Sequence, residues 1–185
     1  MADGCDGFEF DVRLTADGQA VVYHDPKVGR LQIAHATAQQ LPSLPRLQDV
    51  LSRYPEAFLD IELKVPGLER IVIEALRECK LRRFVVSSFL PEVLTTLHAA
   101  NAGIPLGLIC ETKAELHNWQ KIPIDCVILH YKLVDPLLIR QMKDAGKKIL
   151  VWTVNLPADM QRFAGYGVDG IISDDTGLLC RTLTA

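Results

Sequence analysis

The chain alternates short runs of apolar, often β-branched residues with longer segments whose apolar positions recur at helical spacing. Such alternation is typical of βα units arranged around a parallel sheet. The runs that predict strands are residues 58–64, 84–89, 105–110, 126–131, 148–154 and 170–173. The segments that predict helices lie at 68–80, 91–102, 113–120, 135–145, 157–166 and 176–185.

The first fifty residues depart from this regular series. Residues 7–13 predict a seventh strand, and Gly18 marks a tight turn between it and a short strand at 20–24. Residues 27–48 predict an irregular region at the rim, where functional loops are commonly found. Seven strands in βα units are one short of a closed (β/α)8 barrel.

Two α/β folds fit this count: an open doubly wound sheet, and a barrel that lacks one unit. A doubly wound sheet that binds nucleotides usually carries a glycine-rich turn after its first strand. Residues 7–13 are followed by no such turn. This difference favours the incomplete barrel.

Composition narrows the classes of function. The 185 residues carry a net charge of -3, so the sequence predicts no broad basic surface and no nucleic-acid partner. The five cysteines are scattered without metal-ligand spacing, which predicts small buried apolar side chains. The alternative is a reactive or metal-bound thiol. Because the sequence shows no signal peptide and no membrane-spanning stretch, we expect a reduced, cytoplasmic protein.

Two predicted strands carry polar side chains on one face. Glu9 and Asp11 are two residues apart, so both point to the same side of the sheet. Asp60, Glu62 and Lys64 repeat this spacing in the next strand. In a barrel, inward residues near the carboxyl ends of strands are the usual position of catalytic groups. Buried carboxylates at that position need a cation, a lysine or shared protons.

Glu9, Asp11 and Glu62 therefore predict a metal site. Three hard oxygen ligands suit Ca²⁺ or Mg²⁺ and leave positions for water and phosphate. Lys64 beside them suits contact with a phosphate oxygen. The alternative is a ladder of charges on a solvated sheet face. Two such strands at the start of one βα series favour the metal site.

His24 directly follows the apolar run 20–23 and precedes Asp25. A histidine at this position is suited to proton transfer, because its ordinary pKa lies close to neutral pH. A single histidine is nevertheless more often structural than catalytic. His130 ends a predicted strand and is placed to face the barrel mouth.

Several segments, taken in order, resemble the glycerophosphodiester phosphodiesterase family. The resemblance spans nearly the whole chain, and the ordered combination is far more specific than any one motif. The matching segments are residues 4–12 (Gly-Cys-Asp-Gly-Phe-Glu-Phe-Asp-Val), 14–18 (Leu-Thr-Ala-Asp-Gly), 21–25, 61–64, 87–89 (Ser-Ser-Phe), 152–155 (Trp-Thr-Val-Asn) and 167–174.

The resemblance implies a TIM (β/α)8-type barrel in a single domain, residues 1–185, that lacks the first strand and helix. It assigns a divalent metal to Glu9, Asp11 and Glu62, and acid/base catalysis to His24. Glycerophosphodiesters would be cleaved to glycerol 3-phosphate and an alcohol. Lys64 is expected to act with His24 in catalysis, and Trp152 to pack against the glycerol or leaving group; the alternative for Trp152 is a structural rim residue.

The family also carries a first strand with His-Arg-Gly and a helix entered through Glu-Asn-Thr, neither of which has a counterpart in this sequence. The expectation is therefore that hydrolysis by this chain alone is absent or very slow. The alternative function is an impaired metal- or phosphate-binding interaction module. An absent first strand also predicts a gap between residues 7–13 and 170–173, through which copies of the chain would associate.

Overall fold

The computed structural model describes residues 4–101 and 103–184 of the chain. Its strands are β1 (Gly7–Leu14), β2 (Ala20–Val22), β3 (Lys27–Val28), β4 (Leu31–Gln32), β5 (Phe58–Leu63), β6 (Arg83–Ser88), β7 (Leu106–Cys110), β8 (Cys126–His130), β9 (Lys148–Trp152) and β10 (Gly170–Ile171). Its helices are α1 (Leu47–Arg53), α2 (Glu69–Cys79), α3 (Pro91–Ala100), α4 (Lys113–Leu116), α5 (Pro136–Asp144), α6 (Pro157–Gly165) and α7 (Thr176–Thr184). Short 3-10 helices occupy Ile33–His35, Ala38–Gln40 and Tyr131–Leu133.

The main sheet has eight strands in the order β10-β9-β8-β7-β6-β5-β1-β2. Neighbouring strands from β10 to β1 run parallel, and β2 turns back antiparallel to β1. All seven strands predicted in βα units are therefore confirmed, as is the tight turn before β2. This is the α/β barrel-type architecture that the sequence predicted, built without a closing strand among the described residues.

The helices pack against the outer face of this sheet and form the larger core. Phe10 and Val12 are buried there, whereas Phe8 is half-buried and meets the Tyr54 ring edge-on with centroids 5.0 Å apart. Successive side chains of a β-strand point to opposite faces of the sheet. Since these three side chains face the helices, the residues between them face the inside of the barrel. Among the described residues, no helix combines the length and apolarity that crossing a bilayer requires.

A second apolar cluster fills the inner face of the sheet. Its buried members are Val85, Ile109, Cys126, Ile128 and Leu150. Phe58, Phe89, Trp152 and Ile172 pack against it while remaining partly exposed. The interior is therefore a packed core, as in other barrels, and polar side chains are concentrated on β1 and β5.

The segment predicted to be irregular has a small core of its own. Val21, Ile33, Ala36, Leu41 and Leu44 are buried together beside the β3–β4 hairpin. Helix α1, which the sequence reading did not predict, follows directly. The loop after β2 belongs to this region and packs on its small core.

The sheet is open between its two ends. β1 pairs with β5 over Gly7 to Val12, but β2 covers only its last residues, from Val12 to Leu14. Within the described residues, no strand pairs with the start of β1 on that side or with the outer side of β10. The described residues thus leave the predicted gap between these strands unpaired, whereas association of copies through it stays a prediction.

We expect that open side to mediate self-association, because unpaired strand edges favour backbone pairing with another chain. The carbonyl of Asp11 accepts from Tyr23 on this side, so the amides of Gly7 and Glu9 also face it. Light scattering should show mass rising with concentration, and hydrogen exchange at Gly7 and Glu9 should slow in parallel. A monomer at every concentration, with both amides strongly protected, would contradict the prediction.

Candidate metal centre

Strands β1 and β5 bring the predicted carboxylates together. In their parallel register, Glu9 lies opposite Asp60 and Asp11 lies opposite Glu62. Because alternate residues share a face, all four side chains point away from the outer helices. Oxygens of Glu9, Asp11 and Glu62 lie within 4.8 Å of one another, so this acidic triad could hold a metal ion.

Lys64 supplies positive charge to this triad. Its Nζ lies 2.8 Å from Asp11 Oδ1 and forms a second ion pair with Glu62 Oε1. All three side chains are at most 16% exposed, so the pairs are poorly screened by water. Burial lowers the pKa of Lys64, but hydrogen bonds to both carboxylates outweigh burial and raise it above its ordinary value. The lysine therefore remains charged.

One ammonium group does not balance the acids around it. Burial, followed by the charges of Asp11, Asp60 and Glu62, raises the pKa of Glu9 to about 8. Burial also raises the pKa of Glu62, although its hydrogen bond with Lys64 opposes the shift. Glu9 Oε1 is buried without a hydrogen-bond partner among the described residues. A buried, unpartnered carboxylate oxygen in an all-oxygen set fits a hard divalent cation.

Asp60 lies beneath the triad and was placed on this face by the sequence, but without a role. Ser87 Oγ donates to Asp60 Oδ1 at 2.5 Å, while Asp60 Oδ2 has no hydrogen-bond partner among the described residues. Burial raises the pKa of Asp60 to about 7 against the effect of the Ser87 hydrogen bond. The Ser87 hydroxyl thus supports Asp60 at the base of the site.

His24 lies in the loop after β2, outside the strand predicted to include it. Its imidazole is 76% exposed, and Nδ1 lies 2.8 Å from Asp25 Oδ1. The side chain is close enough to Glu62 to lower the pKa of that carboxyl. His24 therefore lies in an exposed loop within electrostatic range of one carboxyl of the triad.

Arg13 positions this loop, a role that the sequence reading missed. Its Nε and Nη2 donate to the backbone carbonyl of His24 at 2.9 and 2.6 Å. The signal was present in the alternation of Glu9, Asp11 and Arg13 along β1, which places all three on one face. The partner of Arg13, a carbonyl eleven residues away, could not be read from that pattern.

Trp152 lies at the end of β9, four strands from β5 in the sheet order. Its ring meets Phe89 and His130 edge-on, at centroid distances of 5.8 and 5.2 Å, and its Nε1 donates to Ile128 O at 3.3 Å. Lys64 Nζ lies 5.6 Å from the Phe89 centroid. Phe89 therefore links the triad to an aromatic wall formed by Phe89, His130 and Trp152.

The sequence matches the Glycerophosphoryl diester phosphodiesterase family over residues 1–75 and 67–178. The first range contains the acidic triad, His24 and Lys64, and the second contains Trp152. The chain belongs to this family. Its resemblance to the family, recognised from ordered motifs, is thereby confirmed.

Relatives and solved structures agree with this membership. The chain is 31% identical to Probable glycerophosphodiester phosphodiesterase 2 of Mycobacterium tuberculosis, over 96% of this chain and 79% of that protein. It is 29% identical to a glycerophosphodiester phosphodiesterase of Caldanaerobacter subterraneus subsp. tengcongensis, over 95% and 84% of the two chains.

In fold, the chain is similar to an Oleispira antarctica phosphodiesterase solved in complex with the product sn-glycerol-3-phosphate. That similarity has a TM-score of 0.89 at 22% identity and covers 100% of this chain and 87% of that chain. A glycerophosphodiester phosphodiesterase from Thermotoga maritima gives a TM-score of 0.84 at 24% identity, over 97% and 86% of the two chains. These structures support the barrel-type fold of this glycerophosphoryl diester phosphodiesterase family member.

The triad generates a direct prediction for metal binding. Calorimetric titration with Ca²⁺ and with Mg²⁺ should detect a site that Glu62→Gln abolishes, because the amide removes one anionic ligand. Glu92→Gln, on the exposed part of α3, is the matched control and should bind as the unaltered chain does. Equal binding by Glu62→Gln and the unaltered chain would refute the assignment.

Lys64→Met tests the charge balance of the triad. Removing one partner of a buried ion pair leaves uncompensated charge, so the free energy of unfolding in chelator should fall by about 3 kcal/mol. Lys148→Met removes an exposed ion pair with Asp169 and should lower the free energy of unfolding much less, because water screens that pair. Urea unfolding measures both, and an equal, small loss in the two variants would show that Lys64 does not stabilise the cluster.

Proposed function

We propose that this site performs metal-dependent hydrolysis of glycerophosphodiesters to glycerol 3-phosphate and an alcohol. The observation that carries the proposal is the convergence of Glu9, Asp11 and Glu62, with His24 near enough to act on Glu62 electrostatically. Family membership and the activity named for the relatives support it. We assign the reaction to residues 1–185 acting as one cytoplasmic domain; the continuous main sheet supports that domain assignment.

Ca²⁺ or Mg²⁺ is the proposed cation, because carboxylate oxygens are the ligands that both ions prefer. Glu9, Asp11 and Glu62 would hold it, while Asp60 beneath them adds negative charge. When bound, the ion would contact phosphate oxygens and lower the pKa of the substrate's glycerol hydroxyl, which would attack the phosphate.

Lys64 is the proposed phosphate contact. Its ammonium pairs with Asp11 and Glu62. Once those carboxylates hold a cation, the ammonium needs another anionic partner, and a substrate phosphate at the triad provides one. Lys64 would then orient the phosphate and stabilise charge that develops on its oxygens.

His24 is the proposed proton-transfer group. Its imidazole is exposed to an incoming substrate, while Arg13 holds its backbone and Asp25 contacts Nδ1. The Asp25 contact engages Nδ1 and leaves Nε2 for proton transfer. Trp152, across the mouth on the aromatic wall, would pack against the glycerol or the leaving alcohol.

Turnover is expected to be slow. Phosphodiester hydrolysis needs one group to activate the nucleophile and another to protonate the leaving alcohol. Among the described residues, the charge of one histidine, His24, acts on a carboxyl of the triad, that of Glu62. This observation also favours the second candidate function, a module that binds metal and phosphate without turnover.

The test is release of glycerol 3-phosphate from a glycerophosphodiester by the purified chain, measured with added Ca²⁺ or Mg²⁺. We expect slow turnover that Glu62→Gln abolishes and that His24→Gln lowers on the order of 10²- to 10⁴-fold, as loss of a positioned proton-transfer group typically does. His35→Gln, at an exposed position outside the site, is the control and should retain full activity.

Three outcomes separate the candidates. Metal-dependent turnover that depends on His24 confirms hydrolysis. Binding of metal and glycerol 3-phosphate without turnover contradicts hydrolysis and favours the binding module. Fast turnover that survives His24→Gln would show that another group transfers the proton.

A further inference from the structure

Two cysteines from opposite ends of the chain lie in contact. Cys5 immediately precedes the segment leading into β1, and Cys180 lies in α7. Their Sγ atoms are 3.2 Å apart although 175 positions separate them in sequence. Both residues are half-buried, so small oxidants can reach them from solvent.

The other cysteines lie in different environments. Cys110 and Cys126 are buried, and burial raises the pKa of both thiols, that of Cys110 to about 12. Such thiols are almost entirely un-ionised and react slowly with oxidants. Cys79 is half-buried and contacts Ser52 Oγ at 3.5 Å. The prediction of small buried cysteines therefore holds for Cys110 and Cys126, whereas Cys5, Cys79 and Cys180 are only half-buried.

The pair lies between the two ends of the open sheet. Cys5 is two residues from the start of β1, and α7 follows β10, so each thiol is attached to one of the strands that border the gap. A bond between them would join those ends covalently where no described strand joins them by hydrogen bonds. The sulfur atoms need to approach by only about 1 Å to reach bonding distance.

We propose that Cys5 and Cys180 form a reversible disulfide when the chain meets hydrogen peroxide. One thiolate attacks a peroxide oxygen, the O–O bond breaks, and water leaves behind a sulfenic acid. The second thiol attacks that sulfur, the S–S bond forms, and a second water departs. Two electrons pass from the sulfurs to the peroxide, and a dithiol reductant reverses the change.

The consequence of this bond is greater resistance to unfolding. A cross-link restricts the unfolded chain more strongly as the loop it closes grows longer, and this loop includes nearly the whole protein. The bond would also hold β1, and with it Glu9 and Asp11, against the C-terminal part of the fold. This inference does not depend on hydrolytic activity.

The experiment exposes the purified, reduced full-length chain to hydrogen peroxide, blocks remaining thiols by alkylation and maps peptides by mass spectrometry. We expect an intramolecular Cys5–Cys180 cross-link and a melting temperature raised by roughly 10 °C, both reversed by dithiothreitol. Cys5→Ser and Cys180→Ser should each lose both effects. Cys79→Ser, at a half-buried thiol outside the pair, should keep both.

Circular dichroism of the reduced variants shows whether each serine variant folds as the unaltered chain does. If one does not, the peptide map of the unaltered chain after peroxide treatment and alkylation still shows whether Cys5 and Cys180 are cross-linked. Recovery of Cys5 and Cys180 as alkylated thiols, as over-oxidised acids or in disulfides between two chains would overturn the proposal. A cross-link that leaves the melting temperature unchanged would overturn the stabilising role.

Discussion

Buried negative charge is the constraint on which the rest of this structure depends. Four carboxyl groups, Glu9, Asp11, Asp60 and Glu62, share one face of two adjacent strands, and the backbone register prevents them from separating. Lys64 gives them a single ammonium group. Moving charge out of water is costly unless opposite charge accompanies it, so the site retains protons or attracts a cation. The barrel interior next to the cluster is lined by aromatic and aliphatic side chains. Among the described residues there, Ser87 is the polar partner, through its hydrogen bond to Asp60.

The repeating part of the fold was predictable because its signals are local. Strand β5 and the parallel strands after it are apolar runs, and amphipathic helices separate them, so period and length identify both. The region from β2 to α1 was not predictable in the same way. Its core joins Val21 to Leu41 and Leu44, residues with no regular spacing, and such contacts depend on how distant segments fold back.

The same distinction applies to the site. Glu9, Asp11 and Glu62 could be predicted to converge, because spacing by two fixes a shared face and adjacent strands complete the cluster. The ion pairs of Lys64, the bond from Ser87 to Asp60 and the contact of Cys5 with Cys180 join segments by tertiary packing. Single-strand periodicity carries no information about such partners. Sequence therefore predicted the cluster of carboxylates but not the contacts that surround it.

The hydrogen bonds from Arg13 to the backbone of His24 affect how this site can change during evolution. Arg13 holds the main-chain carbonyl, a group that every amino acid provides, and makes no demand on the imidazole. The path of the loop is thereby uncoupled from the identity of the side chain at position 24. The side chain at this position can therefore be exchanged by one codon change while Arg13 keeps its contact with the main chain. Position 24 can thus carry different chemical groups without a change in the path of the loop.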